Sequence, residues 1–142
     1  MKTFVTLALL SVVTTISAAE WKPTDIHPKV FQMIDCWLSD TISPVITEIN
    51  LDAVRSNRNQ FDYDLVKKES KWVTFREDRE MLRFSVLSST NDEYTVLYQE
   101  NGGGSLTTQR VIQFAISPRS VKVDGNNVTT TVLHLTSISI PK

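Results

Sequence analysis

Residues Gln60 to Ser70 read QFDYDLVKKES, and the reading of this stretch decides how much of the fold is helical. Phe61 and Leu65 stand four apart with Val66 beside them, the spacing of one helix face, so a short third helix is predicted here. Upstream, DIHPKVFQMIDCWLSD (residues 25–40) places Val30, Phe31, Met33, Ile34, Trp37 and Leu38 on one face at i, i+3, i+4 and i+7. Pro28 suits the first turn of that helix, because its missing N–H would be unsatisfied there anyway. A second helix is expected from Ser43-Pro44, with Ser43 as cap and Val45, Ile46 and Ile49 as its inner stripe. RSNRNQ, residues 55–60, is polar and reads as a loop.

From Trp72 onward the period changes from 3.6 to two. Leu82, Phe84 and Val86 alternate with Met81, Arg83 and Ser85, and Tyr94, Val96 and Tyr98 alternate with Thr95 and Leu97. SSTNDE between them is rich in turn formers, so the pair reads as an antiparallel hairpin. Ile112, Phe114 and Ile116 alternate again after ENGGGS, and Pro118 and Asp124-Gly125 punctuate the last segments, VKV and NVTTTVLHLTSISI. Helices first and strands after is the α+β pattern: N-terminal helices packed on an antiparallel sheet of four to six strands.

The chain opens MKTFVTLALLSVVTTISAAE, with Lys2, a short apolar run and small residues at Ser17-Ala18-Ala19. That is the pattern of a secretory signal peptide over residues 1–19, leaving 20–142 as a single secreted, extracellular domain. The apolar run is shorter than the roughly 20 residues that span a bilayer, so no membrane anchoring is expected. The chain carries 15 basic and 16 acidic side chains, net −1, and the leader contributes only Lys2. A balance so close to neutral offers no footprint for nucleic acid. Cys36 is the only cysteine and falls opposite the apolar helix face. It is either a half-exposed thiol without a role or the site of an intermolecular disulfide that would make a homodimer.

The candidate sites are sparse. Gly102-Gly103-Gly104 leads into another strand and not into a helix N-terminus, so it reads as a hairpin loop, not a phosphate cradle. His27 and His134 are far apart, no second cysteine exists, and no calcium-loop series occurs, so neither metal nor cofactor is expected. His134 lies mid-strand. Facing a pocket with a carboxylate such as Asp62 or Asp64, it could serve a small hydrolase or isomerase as general base; otherwise it makes a structural hydrogen bond or meets solvent. Asn127-Val128-Thr129 is the only glycosylation triplet and sits beside a turn, so a eukaryotic secretory route would place a glycan on Asn127.

The order HPKVFQMIDCWL, SPVITEI, FDYDLVKK, then WVTFRED, MLRFSVLSS, YTVLYQE, RVIQFAIS and VTTTVLHLT resembles the nuclear transport factor two-like superfamily over nearly the whole mature chain. That resemblance implies a curved sheet wrapping a long helix into a cone, whose interior different members use for catalysis, ligand binding or protein contacts. No catalytic set of that superfamily matches here residue by residue. A cystatin-like fold also lays a helix across a sheet, but this chain lacks a Gln-x-Val-x-Gly hairpin, which disfavours protease inhibition. The preferred expectation is a secreted, non-enzymatic module that binds a small apolar ligand or a protein. The alternatives are the His134 enzyme and an interaction protein dimerising through a sheet face or Cys36.

Overall fold

The computed structural model describes residues 21–34 and 46–142. Helix α1 (Pro28–Ile34) precedes strand β1 (Glu48–Asn50), helix α2 (Leu51–Ser56) and two single 3₁₀ turns at Arg58–Gln60 and Tyr63–Leu65. Six strands then follow: β2 (Val66–Glu69), β3 (Trp72–Glu77), β4 (Glu80–Ser89), β5 (Glu93–Asn101), β6 (Thr108–Val123) and β7 (Asn126–Ser139). They form one seven-stranded antiparallel sheet in the order β1-β7-β6-β5-β4-β3-β2. Strands β2 to β7 are thus a continuous meander, and β1 joins the far edge beside β7. No helix among the described residues is long and apolar enough to cross a membrane.

This overturns the α+β expectation of helices on a sheet of four to six strands: the described chain is mainly β. The third helix is absent. Within QFDYDLVKKES, Tyr63–Leu65 make one 3₁₀ turn, and Val66 to Glu69 pair antiparallel with Phe75 to Trp72. The helical spacing of Phe61 and Leu65 loses because Ser70 takes φ +54 and closes a two-residue hairpin with Lys71, fixing Val66–Glu69 as an edge strand. Asp78 (φ +49) closes the β3–β4 hairpin in the same way, without a glycine to announce it. The helix expected from Ser43-Pro44 is also displaced. Ser43 and Pro44 lie outside the described residues, but Glu48–Asn50 is strand, pairing with His134 to Val132. The helix starts only at Leu51, where the Asn50 side chain accepts from the N–H groups of Asp52 and Ala53.

Pro118 does not end a segment either. Strand β6 runs through it, with Pro118 opposite Thr131. The Thr131 N–H points away from β6 to the Asp52 carboxylate (3.1 Å), so that rung needs no donor from residue 118. Two residues back, the Ile116 N–H turns the other way, to the carbonyl of Asp92 (2.7 Å), the turn residue just before β5. Since β5 ends its ladder at Glu93 opposite Ala115, the nitrogen of Pro118 faces an unpaired edge, where a proline is tolerated.

One face of the sheet carries the core. From α1, Val30, Phe31 and Ile34 are buried, whereas Met33, expected on the inner face, is half exposed. Phe31 packs against Phe84 (ring centroids 4.8 Å apart), Tyr98 (6.1 Å) and Phe114 (6.2 Å). Trp21 stands edge-on to Tyr94 at 5.3 Å, and the Tyr94 hydroxyl donates to the Pro23 carbonyl at 2.6 Å, anchoring the segment before α1. Each such fully buried ring contributes on the order of 1.5–3 kcal/mol of transfer free energy. His27 is sealed into the same core, ringed by Phe61, Tyr63 and Phe75.

Candidate functional site

The register of β1, β7 and β6 sorts their side chains between the two faces. Leu133, opposite both Ile49 and Ile116, belongs to the core side. His134, opposite Glu48 and Ala115, therefore points to the outer side, as do Ser117 and Arg119 one and two rungs further along β6. His134 does not enter the interior, and it does not meet Asp62 or Asp64. Asp62 precedes and Asp64 lies within the 3₁₀ turn that leads into β2, at the opposite edge of the sheet.

On the outer face four side chains join in one line. Ser117 Oγ lies 2.8 Å from His134 Nε2, and His134 Nδ1 lies 3.0 Å from Glu48 Oε1. Arg119 donates both terminal nitrogens to Glu48, to Oε1 at 2.7 Å and Oε2 at 2.8 Å. The bidentate hydrogen bonds from Arg119 hold the Glu48 carboxyl below its ordinary range, with smaller help from the His134 side. Glu48 in turn raises the Arg119 guanidinium. An ionised Glu48 is an acceptor only, so Nδ1 carries a proton, and in the neutral imidazole Nε2 is the acceptor to which the Ser117 hydroxyl donates. The line is half open to water: side-chain exposure is 32% for His134 and 43% for Glu48.

Beyond this line β6 and β7 leave the sheet as a two-stranded arm. Ile116–Val123 has no β5 partner, and Asn126–Thr131 has no β1 partner. The arm is closed by Asp124-Gly125, both at positive φ (+49 and +82), the conformation that the Asp-Gly pair favours. Val121 and Val128 face each other on the same side as Ser117 and His134, and Val128 and Val123 are 42% and 50% exposed. Asn127 is exposed near the tip, opposite Lys122, on the reverse side of the arm.

The other residues singled out in the sequence fall elsewhere. Cys36 lies outside the described residues. Gly103, at φ +97, brings its backbone against Arg79; a Cβ there would stand 2.7 Å from Arg79 Cβ, so the triple-glycine loop serves close packing between two turns. No group of three or more His, Cys, Asp or Glu side chains that could hold a metal converges among the described residues. His27 has Nδ1 accepting the Lys29 N–H at 3.1 Å, whereas its buried Nε2 has no hydrogen-bond partner. Burial holds this imidazole below its usual value, against the opposing pull of the nearby Asp62 carbonyl.

Sequence reasoning missed Ser117, Glu48 and Arg119 as companions of His134. They are 17, 86 and 15 residues away in the chain, and only the strand register brings them together. No family model matches the chain, and no match was found for it among curated proteins or among solved structures.

Proposed function

We propose that this protein is a secreted binding module that engages another extracellular protein through the β6–β7 arm. The observation that carries this reading is the arm itself: two long strands with no neighbouring strand along Ser117–Val123 and Asn126–Thr129, and an exposed valine patch between them. Free edges are what an extended segment of a partner needs in order to add a strand, and exposed valines give that segment apolar side-chain contacts. The leader-like start supports export, and the exposed Asn127 beside the Asp124-Gly125 turn is compatible with a glycan there. The helix α1 lying across the core face is the feature that keeps kinship with the cone-shaped superfamily within this proposal.

A small apolar ligand is the weaker alternative. Beneath α1 the rings of Phe31, Phe84, Tyr98 and Phe114 occupy the space such a ligand would use. A surface depression at the β3–β4 turn is lined by Glu77, Asp78, Arg79 and Glu80, an ionic lining poorly suited to an apolar guest.

The test is capture from the extracellular fluid of the source organism on immobilised full-length protein. Wild type is compared with Val121→Lys/Val128→Glu and with a control on the far edge, Lys67→Glu. A saturable protein partner retained by the control and lost with the arm variant is the expected result. A partner held equally by the arm variant, or a small lipid-like molecule extracted in its place, overturns the reading.

A further inference from the structure

The geometry points to Ser117 as an activated nucleophile: with His134 as general base and Glu48 orienting it, this face accepts the acyl group of a small, unhindered ester. The inference is independent of the arm's partner. Its parts are the three a nucleophilic hydroxyl requires: a base within hydrogen-bond reach, a third group fixing that base's tautomer, and access for the reacting carbonyl. Ser117 to His134 at 2.8 Å and His134 to Glu48 at 3.0 Å supply the first two. The partial exposure of Ser117 and His134 supplies the third. Arg119, the other charged group facing this line, is engaged with Glu48 and keeps that carboxylate ionised, so a proton stays on Nδ1 and, in the neutral imidazole, Nε2 stays free to accept.

In the acylation step the Ser117 oxygen bonds to the ester carbonyl carbon while its proton passes to His134 Nε2. The bond to the leaving alcohol then breaks, and that alcohol takes the proton back from Nε2. Water, deprotonated by the same nitrogen, cleaves the acyl-serine to a carboxylate and restores the hydroxyl. The face lacks one component. Backbone N–H groups in a strand lie in the plane of the sheet and point at neighbouring strands, so none is aimed outward at a developing oxyanion. The reaction is therefore limited to general-base activation and to esters with good leaving groups; amides are excluded.

The full secreted chain is treated with 4-nitrophenyl acetate, and separately with a fluorophosphonate, and the modified residue is located by peptide mass mapping. Ser117 is expected to be modified ahead of the other serines. Ser117→Ala should abolish that modification. His134→Gln should slow it by roughly 10²-fold, the scale of a general base, and Glu48→Gln should slow it less. Circular dichroism checks that each variant keeps its sheet. Absence of modification at Ser117 in the wild type, or a rate in folded His134→Gln equal to wild type, overturns the assignment and leaves the line as a structural hydrogen-bond chain.

Discussion

The body of the sheet and its arm are built from the same antiparallel ladder, yet they are held by different forces. In the body, β3, β4 and β5 press buried rings and aliphatics against α1, and Phe75, Phe84, Leu82, Tyr94 and Val96 are wholly removed from water. In the arm, Ser120 to Thr129 is largely exposed and lacks an apolar layer behind it, so ladder hydrogen bonds and cross-strand pairs such as Val121 with Val128 carry it. The contrast teaches that burial is concentrated in one part of the sheet: the body tolerates little change, the arm a great deal.

The sharpest way to break this contrast is to delete a ring from the body. Phe31→Ala should cost about 3–5 kcal/mol, read as a lower urea midpoint with an unchanged slope. If the loss were below about 1 kcal/mol, α1 would not be part of the core. Acid should act next, and first on the body. His27 is held neutral in the fold and titrates near 6.5 when unfolded, so the unfolded chain binds more protons below that pH. Its contribution is fully present above pH 6.5 and is lost as pH falls below it. His27→Phe should flatten the stability profile between pH 6.5 and the carboxylate range. Glu48 acts in the same direction further down: its stabilising pair with Arg119 is present above its unfolded value of 4.5 and fails as pH falls below it.

Gly103→Ala sharpens the comparison at the end of the body, where φ +97 and the Arg79 contact both oppose a side chain. A loss of about 1–3 kcal/mol is expected by thermal or urea unfolding. Asn50→Ala removes the cap of α2 and should cost about 1 kcal/mol. Val128→Ala in the arm should change stability by less than about 0.5 kcal/mol in the same assay. A larger loss would mean that the valine patch packs against part of the protein and is not free.

What was legible in the sequence was local. The alternation through Leu82–Val86 and Tyr94–Tyr98 announced β4 and β5, Pro28 announced α1, and Asp124-Gly125 announced the arm's turn. The missed elements were decided by distant partners. Ser70-Lys71 and Asp78-Arg79 close hairpins with non-glycine residues at positive φ, a choice their strands impose. Glu48–Asn50 became a strand because β7 offered it an edge, against the helical spacing of Ile46 and Ile49. His134 stood out as a rare residue type, but its neighbours did not: nothing near it in the chain names Ser117, Arg119 or Glu48.

Pro118 gives the arm a limit. An incoming segment laid along β6 would find an oxygen but no hydrogen to meet at that rung. The opposite border ends at the same rung, where α2 ties down Thr131. The outward amides are those of Asn127 and Thr129 on one flank and of Ser120 and Lys122 on the other, so a guest strand meets an equal row on either side, and both rows stop at the rung where Pro118 has no hydrogen to give and Thr131 gives its own to Asp52.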